Sequence, residues 1–304
     1  MSPRARLLTA AAFVTVALCW SGSWTFGKLV VGQVPPFELS AIRFALAGLL
    51  MLAIARILGA PLGLQRWPLL VLAGGFGIFA YNALVFSALT FTPAADGALI
   101  VPTVNPVLTV LLSTLIGERL TANKVAGLGL AMLGAVLVIA AATNLTFTGE
   151  RLLGDLLMLG GAASWSLYAT IGAVTTRQGS PIGVTAVACL AGAAMLFPLG
   201  FLEKGYTDVP SWPLGAWLQL GYLVVFSTIV GFVLFYWAVR RFGAGMASMV
   251  SYLVPVFALV QAVTILGEQP EVLQIVGGAI ILLGVRVATL RFTPRSPMEE
   301  TEPA

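Results

Sequence analysis

The chain has 304 residues, 59% of them hydrophobic and only 9% charged, and its mean hydropathy of +0.99 excludes an ordinary soluble domain. The formal charge of +4 comes from basic residues scattered through short connections rather than gathered in a patch, which excludes a nucleic-acid surface. With no histidine, and with Cys19 and Cys189 in separate apolar runs at no metal or redox spacing, neither a metal nor a cofactor is expected.

Segments that are apolar on every side for the roughly 20 residues a helix needs predict helical spans, because a strand span would alternate apolar with polar residues. The expected fold is an all-α polytopic membrane protein with ten transmembrane helices, at residues 9–31, 37–58, 67–90, 93–116, 122–142, 152–175, 181–202, 213–239, 243–266 and 270–290. The apolar run 7–31 is too long for the core of a cleaved leader and is interrupted by Trp20, Trp24 and Lys28, so it reads as the first span. Those three residues stand four apart on one helical stripe. Indoles favour the membrane interface, so Trp20 and Trp24 inside the span serve either as a cavity wall able to stack on an aromatic substrate or as helix packing; Lys28 is expected to snorkel to the outer interface, with contact to a substrate carboxylate as the alternative.

In the second span Arg43 lies inside the apolar run, where an ionisable group costs roughly 2.5 to 3.5 kcal/mol on insertion scales. Glu38 precedes it by five residues, and a structural ion pair or contact with carbonyls is expected. The third span carries Tyr81 beside Asn82, so at least one of the two faces the bundle interior. Asn82 both donates and accepts, which suits a zwitterionic substrate, although interhelical hydrogen bonding would use it equally well. The fourth span holds Pro102, Asn105 and Pro106 and the ninth holds Ser251, Tyr252 and Pro255; the prolines leave the carbonyls of Ala98, Pro102 and Ser251 without their usual donors. Pro106 and Pro255 are candidate hinges, with a static kink as the plainer reading of each. In the fifth span Gly127, Ala131 and Ala135 form a small-residue stripe, answered in the tenth by Gly277 and Gly284 with Ile281 between them, and both spans are expected to pack at the bundle edge within a monomer. Trp165 and Tyr168 in the sixth span complete the candidate substrate-binding set.

The two halves repeat each other. At an offset of 145 residues Trp20 returns as Trp165 and Pro36 as Pro181; at 150, Gly117-Glu118 returns as Gly267-Glu268 and Gly134 as Gly284. The expected organisation is a first repeat over residues 1–142, a connection at 143–151, a second repeat over 152–292 and a disordered cytoplasmic tail at 293–304. Five spans per copy invert the second relative to the first. With the N-terminus cytoplasmic, 12 of the 16 basic residues fall on that side, the exceptions being Lys28, Arg43, Arg151 and Lys204, which places both termini inside. Glu118 and Glu268 are read as structural groups that cap helices or pair across the repeat interface.

On the stretch from Trp20 to Trp24, on Arg43-Phe44, on the Gly-Glu endings of the fourth and ninth spans and on the glycine-rich fifth and tenth spans, the chain resembles the drug/metabolite transporter superfamily with two EamA-type repeats, over residues 9–290. Its length, span number and Tyr81-Asn82 are similar to exporters of the YddG type. That resemblance implies a central cavity lined by spans 1, 3, 4, 6, 8 and 9, and export of neutral and aromatic amino acids. The expected activity is therefore secondary transport or facilitation of a small amphipathic metabolite by alternating access, in a bacterial inner membrane, with the substrate and membrane lipids as partners. Drug or other metabolite efflux and a passive channel are the alternatives. A membrane-embedded enzyme would need acidic, histidine or arginine groups clustered at one membrane face, and a nucleotide-sugar carrier would need more basic pocket residues than Lys28 and Arg43.

Overall fold

The computed structural model describes residues 3–27, 33–91, 94–140, 149–266 and 272–289, and among these no strand occurs. In an apolar medium the backbone must satisfy its own polar groups, and helices do so within one segment. The helices are α1 (Pro3–Gly27), α2 (Pro36–Ile57), α3 (Leu64–Ala88), α4 (Ala94–Thr114), α5 (Ala122–Ala140), α6 (Gly149–Thr175), α7 (Pro181–Glu203), α8 (Leu214–Phe242), α9 (Val250–Leu266) and α10 (Val272–Thr289). Among the described residues six stretches are long and apolar enough to cross a membrane, and four shorter apolar helices accompany them, so the chain is an all-α, multi-pass membrane protein.

Local chemistry sets several starts. Pro36 and Pro181 open α2 and α7 at the position where a missing N–H is harmless, and the Ser180 hydroxyl accepts the Gly183 N–H at 3.0 Å. Each helix overlaps an expected span, with three differences. Helix α1 begins at Pro3, upstream of residue 9. Helix α6 begins at Gly149, which takes Arg151 out of the expected connection and buries it on a helix. A separate turn, Ala244–Ala247, precedes α9 in what was expected to be one span. Lys28, Gly267, Glu268, the stretch 141–148 and the tail fall outside the described residues.

Two helices change pitch internally. Residues Gly75–Ala80 of α3 and Leu223–Val230 of α8 are π-helical, a geometry that hydropathy does not reveal.

Short connections predict that consecutive helices pack as neighbours, but the most extensive contacts join helices that are not consecutive: α5 with α10, α2 with α7, α3 with α6 and with α7, and α4 with α6. The helices are apolar on most sides, so they pack on more distant helices as readily as on their chain neighbours. The small-residue stripe locks the first of these pairs. A Cβ on Gly134 would come within 2.6 Å of the Gly277 carbonyl oxygen, and one on Gly284 would run into the Ala131 backbone, so the two helices meet almost backbone to backbone.

Candidate substrate site

The core between α1, α3, α6 and α8 is built of rings. Trp165 on α6 is buried, and the Trp20 indole of α1 stands edge-on to it with centroids 5.2 Å apart and planes at 88°. The Tyr81 ring of α3 lies 5.4 Å from Trp165, and Phe232 of α8 lies 5.2 Å from it. Tyr168, one turn along α6, stacks on Tyr236 at 4.7 Å, and the Tyr236 hydroxyl donates to the Tyr168 carbonyl at 3.1 Å. Each such pair contributes about 0.5 to 1.5 kcal/mol beyond the area it buries. Two glycines admit the rings: a Cβ on Gly231 would sit 2.6 Å from the Trp20 nitrogen, and one on Gly77 would overlap the Tyr168 ring. Among the described residues these rings line the space between the four helices, and a void of about 10 Å³ bordered by Phe13, Phe235 and Val250 has room for one water at most.

The two indole nitrogens differ. Trp20 Nε1 donates to the Ser227 carbonyl at 3.2 Å, whereas the buried Trp165 Nε1 has no acceptor among the described residues. An unpartnered N–H in an apolar interior is unfavourable, and a bound ligand supplying an acceptor would relieve it.

Below the rings a polar knot ties α4, α6 and α9. The Asn105 amide donates to the Ser251 hydroxyl at 3.2 Å, and its carbonyl groups accept from Thr109 and Ser166, the residue next to Trp165. The Tyr252 hydroxyl donates to the Thr103 carbonyl at 3.1 Å, one residue past the Pro102 carbonyl that Pro106 releases. Pro106 and Pro255 lie inside α4 and α9 beside this knot.

The expected site residues therefore separate. Trp20, Tyr81, Trp165 and Tyr168 form one aromatic cluster; Asn105, Ser251 and Tyr252 form the polar knot; Asn82 turns to its own helix and donates to the Ile78 carbonyl at 2.6 Å, inside the π stretch. The Trp24 backbone belongs to α1, but its side chain lies outside the described residues. Arg43 corrects its expectation, since among the described residues it meets neither Glu38 nor a carbonyl. Its Nε donates to the Thr228 hydroxyl at 2.8 Å and its Nη2 to the Ser227 hydroxyl at 3.0 Å, while the guanidinium carbon sits 4.6 Å from the Phe44 ring centroid. Ser227, Thr228, Ser166, Phe232 and Tyr236 were not singled out from the sequence. The adjacent hydroxyls of Ser227 and Thr228 inside an otherwise apolar span were the available signal for two of them.

The acids at helix ends are caps. The Glu118 carboxylate accepts the Ala244 N–H at 2.6 Å and the Gly245 N–H at 3.3 Å, joining the two halves of the chain as expected of it. In the connection after α7, burial first and then the Glu38 and Glu203 charges push the Tyr206 phenol up to about 12, so it remains a neutral donor to the Phe197 carbonyl.

Comparison with known proteins places this arrangement. The model of the EamA-like transporter family matches twice, over residues 7–140 and 152–290. An aromatic amino acid exporter, YddG, of Ancylobacter novellus is 32% identical over 282 residues, covering 91% of this chain and 95% of the relative. A probable terminal-alkyne amino-acid exporter of Streptantibioticus cattleyicolor is 29% identical over 287 residues, covering 92% and 93%, and the uncharacterized transporter YyaM of Bacillus subtilis is 28% identical over 279 residues, covering 88% of each chain. A solved crystal structure superposes with a TM-score of 0.81 at 29% identity, covering 93% of this chain and 97% of the other.

Proposed function

The chain belongs to the EamA-like transporter family, and from that premise we propose that it exports small amphipathic metabolites, neutral and aromatic amino acids above all, by exposing the site around Trp20, Tyr81 and Trp165 to the two sides of the membrane in turn. The observation that carries the substrate class is the edge-on Trp20–Trp165 pair with Tyr81 and Phe232 around it, because a ring of aromatic faces with an unpartnered indole N–H accepts an aromatic side chain and orients a polar group. The named relatives that export amino acids support the same class.

Alternating access rests on an inverted pair of five-helix repeats, residues 1–142 and 152–292. Two features support it. The family model matches each half separately, and contacts interchange when each helix is replaced by the one five further on: α4 with α6 answers α9 with α1, α3 with α6 answers α8 with α1, and α2 with α7 answers itself. The protein then lies in the bacterial inner membrane with both termini cytoplasmic and works as a monomer on its substrate alone. Purified protein in liposomes is expected to exchange labelled phenylalanine or leucine for unlabelled amino acid. If no member of a broad amino-acid panel moves while a control exporter is active, the proposal is wrong.

A further inference from the structure

Arg43 is a cation inside a helical bundle whose partners among the described residues are all neutral: two hydroxyls and one ring. A guanidinium carries five N–H donors in a planar fork matched to a carboxylate, and the bonds to Thr228 and Ser227 use two of them. At the near end of its helix, Glu38 turns Oε1 to the Lys204 and Tyr206 backbone N–H groups and keeps Oε2 without a hydrogen bond, and Glu203 accepts the N–H groups of Phe37 and Glu38; among the described residues neither acid pairs with Arg43. The hydroxyls that hold Arg43 are also limited, since Ser227 Oγ interacts with the Ser23 hydroxyl at 2.9 Å as well. Leaving such a cation without an opposite charge is unfavourable in apolar surroundings.

Its location gives this a purpose. Ser227 receives Arg43 on its hydroxyl and Trp20 on its carbonyl, so the cation and the aromatic cluster hang on one residue. Arg43, Trp20 and Tyr81 each keep part of their surface open, whereas Trp165, Ser227 and Thr228 are buried. A molecule with a carboxylate at one end and a ring at the other would meet the guanidinium with the first and the indoles with the second.

We propose that Arg43 is the anchor for the carboxylate of the transported molecule, so that the protein selects amphipathic carboxylates over their amides. The inference rests on the transport reading above and adds the group that recognises the substrate's charged end. Ser227 and Thr228 act as positioning residues that hold the fork open toward the site.

The test is counterflow in liposomes with phenylalanine and phenylalaninamide, on wild type, Arg43→Lys, Arg43→Gln and the double variant Ser227→Ala with Thr228→Ala. Wild type is expected to favour the acid by at least about tenfold, the scale of one charge-assisted hydrogen-bonded pair. Arg43→Gln should bring that ratio to about one, Arg43→Lys should keep part of it, and the double variant should narrow it. A wild type that moves both compounds equally, or an Arg43→Gln protein that keeps the full preference, overturns the anchor while leaving transport intact. If Arg43→Gln does not fold, the double variant decides: an unchanged ratio overturns the proposal. Should wild type move neither compound nor any other member of the amino-acid panel, the transport reading fails. The anchor is then judged on wild-type binding, where 3-phenylpropionate must raise the melting temperature and 3-phenylpropanamide must not, and equal effects overturn it.

Discussion

Glu38 and Glu203 each close the end of the other's helix. Glu203 Oε2 accepts the Phe37 and Glu38 N–H groups at 2.9 and 3.0 Å at the start of α2, while Glu38 Oε1 accepts the Lys204 and Tyr206 N–H groups, both at 3.0 Å, just past the end of α7. The second pair of bonds also holds Tyr206 at a φ of 64°, a left-handed conformation that a bulky side chain rarely adopts. Two neighbouring helices are thereby fixed at one membrane face by an exchange of backbone donors.

Glu38→Ala should lower stability in detergent by about 2 to 3 kcal/mol, because two backbone donors lose a charged acceptor. Glu203→Ala should cost somewhat less, since its carboxylate is closer to water. Thermal unfolding of the single variants and the double variant measures both. If the double variant costs the plain sum, the two caps act independently and the reciprocal arrangement has no energetic meaning.

Glu118→Ala should destabilise by about 1 to 2 kcal/mol through loss of the cap on the turn at Ala244. The distinguishing readout is local: proteolysis or hydrogen exchange should increase around residues 243–250 well before the rest of the protein opens. Uniform exposure along the chain would show that the cap has no local role.

Trp165→Phe should leave the melting temperature nearly unchanged, because the indole N–H it removes has no acceptor among the described residues and its rings pack against aromatic faces. Its transport KM should rise by about fivefold, the worth of roughly 1 kcal/mol of one neutral hydrogen bond to ligand. Trp165→Ala, by contrast, should cost about 3 to 5 kcal/mol in stability as a core cavity opens. An unaltered KM in Trp165→Phe would remove the indole N–H from substrate recognition.

Gly284→Val should disrupt the contact between α5 and α10 and lower stability by about 3 kcal/mol, since a side chain there runs into the Ala131 backbone. Denaturant or thermal unfolding in detergent measures it. Gly129→Val, where a Cβ meets nothing within 4 Å, is the control and should be near neutral.

Helices and the pairing of Trp20 with Trp165 were legible in the sequence because each depends on features that survive in one dimension: long apolar runs and a repeat offset. The partners of Arg43 were not. Ser227 lies 184 residues away, and a helix that is apolar on every side offers no stripe to say which face a polar group takes. For the same reason the sequence placed Asn82 and Asn105 together as substrate contacts, while the fold gives one to its own helix and the other to Ser251, Ser166 and Thr109. The expected contact between Arg43 and Glu38 gave way to a cap in which Glu38 Oε1 takes the Lys204 and Tyr206 N–H groups, and hydropathy contains no information on such helix ends.

The π-helical stretches of α3 and α8 leave each helix with slack. Winding such a turn back into α geometry releases a residue, which lengthens the rod by about 1.5 Å and swings everything beyond it by about 100°. Tyr81 rides directly after the loose stretch of α3, and Ser227 and Thr228 sit within that of α8. Tightening either coil would turn the phenol, or the two hydroxyls that hold Arg43, to a new bearing relative to the part of the helix that precedes the loose stretch.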